Sequence, residues 1–265
     1  MTAKIIAVAN QKGGCGKTTV TMVVAAGLWA RGLRVLVVDA DRQGSASTWS
    51  ANAPPSVPFP ARVCNLAHAG KALPSEVQKF AEDVDVILID CPPSVDSPLP
   101  QAALLISDLL LVPLLPSPAD VAAAASFFAL VEQAEGLNPG LQKRIVPNMV
   151  QRTALADSFK KSFESLPLAR TATELTLRVS YREAMALGAS IESLPASAKR
   201  AQDEVKRLVA EVVALLDIGS LGRPLSVLKA AVKGPRKPAR PAKAKAAPRK
   251  SRAKKSARKS VARAS

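Results

Sequence analysis

Residues Lys12 to Thr19 read KGGCGKTT. Just before them, Ile5–Ala9 is an unbroken apolar run, and just after them Thr18–Arg31 carries a helical pattern. The arrangement predicts a buried strand, a glycine-rich turn and a helix. Gly13, Gly14 and Gly16, with Cys15 among them, let successive backbone N–H groups wrap a phosphate, and the helix N-terminus adds partial positive charge. Lys17 is placed to contact the β- and γ-phosphates and the Thr18 hydroxyl to ligate Mg²⁺, with Thr19 the last of the ATP-binding residues of the loop. A nucleotide phosphate site for ATP with Mg²⁺ is the expectation.

Outward from this loop, apolar runs alternate with helical patterns. Arg34–Val38, Val84–Ile89 and Leu109–Leu114 read as strands, with another near Arg144–Val150. Helices are expected at Ala119–Ala134, Ala154–Leu166 and Ala196–Leu216. Strands this uniformly apolar are covered on both faces, so the fold class is α/β: a mainly parallel, doubly wound sheet with helices on both faces. In the last helix Val205, Leu208, Val209, Val212, Val213 and Leu216 share one side and close the domain.

Two carboxylates follow the second strand in VLVVDADRQGSASTW (Val35–Trp49), and one ends the third in VDVILIDCPPS (Val84–Ser94). Asp39 and Asp41 therefore emerge at a strand's carboxyl end, beside the phosphate loop. Asp90 is the equivalent of a Walker B aspartate, aimed at Mg²⁺ through water.

The ordinary phosphate-loop pattern GxxxxGK[ST] requires glycine at position 11, where this chain has Gln11 followed by Lys12. KGGxGK[ST][ST] is the deviant Walker A signature, and the chain here resembles the ParA/MinD superfamily of ATPases, of the P-loop NTPase type. The segment Ser107–Gln133 (SDLLLVPLLPSPADVAAAASFFALVEQ) resembles the small plasmid-partition ParA type, and Thr176–Pro195 resembles a later region of the family. The likeness spans residues 3 to about 216 and is most specific in the first 50.

The resemblance implies a homodimer in the ATP state, in which the lysine matching Lys12 reaches the partner's nucleotide. A cation supplied in trans would neutralise charge on the transferring phosphoryl group and tie hydrolysis to assembly. It also implies that Asp39 holds the magnesium hydration shell and that Asp41 orients the attacking water. Arg42 stands where the family has proline. Asn148 falls roughly where relatives read adenine. Nonspecific DNA binding near the carboxyl-terminal helices makes Arg178, Arg182, Lys199, Arg200, Lys206 and Arg207 candidates, and a ParB-like or other cargo-adaptor protein the expected partner.

The net charge of +16 is unevenly spread: residues 233–265 hold 14 of the 37 Lys and Arg and no acid, leaving 23 basic against 21 acidic residues elsewhere. The chain is expected to divide into an ATPase domain, 1–218, and a Lys/Ala/Pro-rich tail, 219–265, disordered when free because after Lys233 it lacks bulky apolar residues. Clustered charge without aromatic residues points to phosphate-backbone contacts on duplex DNA with a steep salt dependence. A solvated tail and anionic lipid are the competing uses.

The apolar run Ala102–Leu115 is interrupted and too short for a bilayer, and no secretion-signal order opens the chain. No stable membrane insertion and a cytoplasmic, nucleoid-associated location are expected. The resemblance implies an ATPase that segregates or positions plasmid, chromosomal or other large cargo. Two other functions stay open: an ATP-dependent small-molecule ligase or amidase of the same fold, and a MinD-like membrane-associated regulator, for which the tail offers no amphipathic anchor.

Overall fold

The computed structural model describes residues 3–94, 97–151, 163 and 166–218. The basic tail and almost all of the helix expected at Ala154–Leu166 lie outside the described residues.

Six parallel strands form one sheet: β1 (Lys4–Val8), β2 (Val35–Asp39), β3 (Arg62–Asn65), β4 (Val86–Asp90), β5 (Leu109–Leu114) and β6 (Gln142–Pro147). Their spatial order is β3-β2-β4-β1-β5-β6. The strands are apolar throughout because both faces are covered. Ile6, Val8, Val37 and Leu88 pack with α1 (Lys17–Ala30), α2 (Ser45–Ala51), α7 (Val179–Leu187) and α8 (Lys199–Leu216). Ile5, Ala7, Val38 and Ile89, offset by one residue, pack with α3 (Leu73–Gln78), α4 (Pro98–Ile106) and α6 (Ala125–Leu137). Alternation along each strand thus feeds two cores, and each fully buried Leu or Ile contributes about 1.5–3 kcal/mol.

α1 is buried almost all round, lying between the sheet and α8. Gly27 permits that approach, since a Cβ there would meet Val209 Cγ2 at 2.6 Å. α8 instead buries one stripe through Val205, Leu208, Val209, Val212 and Leu216, with Val213 partly buried beside it.

Beyond α2, α3, α4 and α7, for which the sequence pattern predicts no helix, the elements differ from expectation in these respects. The helix expected at Ala119–Ala134 is two helices, α5 (Pro118–Ala123) and α6, joined where the Ala124 N–H is shared between the Asp120 and Val121 carbonyls. The expected strand to Val150 stops at Pro147: Asn148 N–H still reaches the Leu114 carbonyl, but Met149, at φ +52°, turns the chain out of the extended conformation. Ala196–Ala198 is a 3₁₀ turn, with α8 starting at Lys199. The edge strand β3 carries no strand signal in the sequence, because its exposed Arg62 and Asn65 break the apolar run. Among the described residues, no helix is long and apolar enough to cross a membrane.

Candidate nucleotide site

At the carboxyl ends of β1, β2 and β4, the order of the sheet brings three sequence-distant segments together. The chain leaves β1 into the phosphate loop, and in the register of the sheet Asp90 stands level with both Val8 and Asp39. This is the crevice where open α/β sheets bind ligands.

The loop is held from beneath. Asn10, buried, donates through Nδ2 to the Pro113 carbonyl at 2.7 Å and accepts the Lys12 N–H at 3.2 Å. Gly16 has φ +90°, and a Cβ there would stand 2.1 Å from Asn148 Nδ2, so both the backbone and the packing require glycine. Asn148, buried, donates Nδ2 to the Cys15 carbonyl at 2.8 Å. In this structure it braces the loop. Lys17 is also buried, and its Nζ donates to the Lys12 carbonyl at 2.9 Å, which keeps the ammonium inside the curl of the loop.

The groups expected at the metal converge. Thr18 Oγ1 donates to Asp90 Oδ2 at 2.7 Å, leaving hydroxyl lone pairs for a cation. One turn along α1, the Thr21 hydroxyl lies 3.3 Å from Asp90 Oδ1 and 3.0 Å from the Lys17 carbonyl. Asp39 is fully buried; Oδ2 accepts Ser47 N–H at 2.8 Å and Ser47 Oγ at 2.7 Å, and Oδ1 accepts Asp41 N–H at 3.2 Å. It is thereby fixed at the start of α2. Burial, only partly offset by the Thr18 hydrogen bond and worsened by the nearby Asp39 charge, pushes the Asp90 carboxyl up to about 7. Two adjacent buried carboxylates and a hydroxyl suit a hard divalent cation such as Mg²⁺, whose charge would relieve that burial.

Asp41 sits at the rim, half-buried, accepting Gln43 N–H at 3.0 Å. Arg42 is exposed beside it, and both line a cleft of about 470 Å³ with His68, Ser94, Ser97 and Pro98. Lys12 does not point into the phosphate cradle. Its ammonium pairs with Asp120 of α5 at 2.7 Å.

The six basic candidates lie apart, on or beside α7 and α8. Arg182, Lys199, Arg200, Lys206 and Arg207 are exposed, Lys199 pairing with Asp203 at 2.9 Å. Arg178 differs: Nε and Nη2 donate to Glu204 Oε1 at 3.1 and 2.7 Å. Its guanidinium is engaged inside the fold. Glu204, almost fully buried, also accepts Thr176 Oγ1, Thr176 N–H and the Tyr181 hydroxyl.

Asn10, Thr21, Ser47, Asp120 and Glu204 were missed in the sequence reading. A signal existed for Asp120, because Ser117-Pro118-Ala119-Asp120 has the form of a helix start, and the Ser117 side chain does accept the Asp120 N–H.

Residues 3–56 match the family model described as an AAA domain. The Maintenance of carboxysome distribution protein A of Halothiobacillus neapolitanus is 35% identical over 214 residues, covering 78% of this chain and 95% of the relative. Among solved structures, the septum site-determining protein MinD of Pyrococcus horikoshii, complexed with Mg-ADP, superposes with a TM-score of 0.65 at 20% identity, covering 82% of this chain and 99% of that one. Cobyrinic acid a,c-diamide synthase of Mycobacterium smegmatis, with bound ADP and magnesium, gives a TM-score of 0.59 at 25% identity, covering 70% and 91%.

Proposed function

The chain belongs to the ParA/MinD superfamily of ATPases, and on that premise we propose that it is a DNA-associated positioning ATPase whose ATP-bound dimer distributes a large cargo through an adaptor protein. The observation that carries the reading is the convergence of the loop Lys12–Thr19 with Asp39, Asp41 and Asp90 at one end of the sheet.

Backbone N–H groups of Gly13 to Gly16 and the α1 N-terminus cradle the phosphates, and Lys17 turns from the Lys12 carbonyl to the β- and γ-phosphates. Thr18 and Asp90, with Asp39 acting through water, would hold Mg²⁺, which supplies charge neutralisation on the phosphates when bound. Asp41, at the rim, accepts a hydrogen bond from the attacking water and aligns it with the γ-phosphorus. The products are ADP and inorganic phosphate. Lys12 from the other protomer neutralises the transferring group, so turnover requires the dimer.

Outside the site, Arg182, Lys199, Arg200, Lys206 and Arg207 give α7 and α8 an exposed basic surface. Together with the cationic segment 233–265 it would engage duplex phosphates without reading sequence. The Halothiobacillus relative is named for carboxysomes rather than for a plasmid, which favours a protein assembly as cargo over a centromere.

The cleft beside Asp41 and the likeness to the Mycobacterium diamide synthase support a second reading, an ATP-dependent ligase acting on a small carboxylate. Phosphate release by the full chain, with and without nonspecific duplex DNA across a salt series, separates the two. The positioning reading predicts ATP-dependent DNA binding and altered turnover, both fading as salt rises. DNA that neither binds the ATP form nor changes turnover defeats it and leaves the ligase reading.

A further inference from the structure

We infer that the Lys12–Asp120 pair is a cis latch: α5 holds the signature lysine inside its own protomer and so sets the protein concentration at which ATP drives dimer formation. The inference rests on the trans role proposed above for Lys12.

Asp120 occupies the first turn of α5 and is only 4% exposed. Its Oδ2 accepts the Ser117 hydroxyl, while among the described residues Oδ1 meets only the Lys12 ammonium, at 2.7 Å. The lysine therefore compensates a carboxylate that water barely reaches. Withdrawing it would leave that charge buried and unpaired, which is strongly unfavourable. Lys12 itself is less confined: its side chain is 39% exposed, on a flexible four-carbon stem. The carboxylate is the fixed half of the pair and the ammonium the movable half.

The main chain of Lys12 links the latch to nucleotide. Its carbonyl accepts Lys17 Nζ at 2.9 Å and lies 3.2 Å from Cys15 Sγ, facing the cradle while the side chain turns away to α5. Phosphates that draw Lys17 off this carbonyl remove one restraint on the residue whose side chain must cross to the partner. Gln11, the residue replacing the expected glycine, is tied to Ser126 of α6 by its side chain, so both residues ahead of the cradle are anchored to the α5–α6 segment.

Two measurements on the full chain test the latch. Trace acetylation of lysine amines by acetic anhydride, read by mass spectrometry without nucleotide, should label Lys12 several-fold faster in Asp120→Asn than in the unchanged protein. Sedimentation with Mg·ATP should show the Asp120→Asn dimer at about tenfold lower protein concentration, the size of coupling expected for a contacting charge pair. Ser117→Ala, which keeps the charge but removes its brace, should move both readouts the same way by less and serves if Asp120→Asn folds poorly. Equal Lys12 labelling, or an unchanged or higher dimerisation threshold in a folded variant, overturns the latch alone. An unchanged protein that forms no dimer with ATP at any concentration overturns the trans role of Lys12, and the latch with it.

Discussion

Two buried carboxylate sites, Glu204 and Asp90, are finished to different degrees. Glu204 is surrounded by donors, five hydrogen bonds reaching it from Thr176, Arg178 and Tyr181. Burial would raise its pKa, but the bonds from Arg178, Thr176 and Tyr181 outweigh that and hold it below the ordinary value. Asp90 has two threonine hydroxyls and a neighbouring carboxylate, and burial drives it up to about 7. A charge whose hydrogen bonds are complete within the fold ties elements together. One that is short of positive charge is where a cation belongs.

Substitution should expose that difference, most strongly in turnover. Asp90→Asn, which keeps the shape and removes the charge, should lower phosphate release at saturating ATP by about a thousandfold, in line with loss of a metal-holding carboxylate. Turnover within tenfold of the unchanged protein would remove Asp90 from the site. Glu204→Ala should act on the fold instead: it strands Arg178 and opens the join between Thr176 and α8. Urea unfolding should show a loss of about 3–5 kcal/mol, and retained stability would mean the five donors are satisfied elsewhere.

The two sites also respond oppositely to pH. A carboxyl whose folded pKa exceeds its unfolded one favours the fold most below the unfolded value, and that contribution is lost as pH climbs through the folded pKa. For Asp90 the window runs from about 3.8 to about 7. In chelator and without nucleotide, Asp90→Asn should therefore melt several degrees above the unchanged protein at pH 8, by less at pH 5, and close to it near pH 3.8. Glu204, held low, contributes stability above its unfolded value that is lost as the medium is acidified, so its conservative variant Glu204→Gln should be most destabilising near neutrality and least in acid. A pH-independent gap in either case would contradict the assigned cause.

The smallest expected effect concerns the basic surface. Arg200→Ala should reduce the salt slope of DNA binding by about 0.9, one phosphate contact, while Arg178→Ala should leave the slope alone and lower stability. Equal slopes for the two variants would mean that Arg178, despite its pairing with Glu204, still faces DNA.

How much of this could be read from the sequence follows from how far apart the partners lie. The loop at Gly13–Thr19 and the strands carrying Asp39 and Asp90 were legible because glycine spacing and doubly buried strands leave local patterns. The edge strand β3 buries too little to leave one. Asn148 is a different case: its bond to Cys15, 133 residues away, depends on β6 lying beside the loop and leaves no local pattern. Asp120 and Glu204 likewise draw their meaning from Lys12 and Arg178, which only the packing of α5 and α8 brings near. Arg178, one of the six basic candidates, is engaged by Glu204 for the same reason.

Calorimetric titration of the full chain with ATP, with Mg²⁺ and then with chelator, tests the contrast most directly when repeated on Asp90→Asn. The unchanged protein should bind ATP much more tightly with Mg²⁺ than without, and Asp90→Asn should lose most of that difference. Magnesium-independent binding, or an undiminished magnesium effect in Asp90→Asn, would contradict the assignment of the Asp39–Asp90 pair as the cation-holding half of the site.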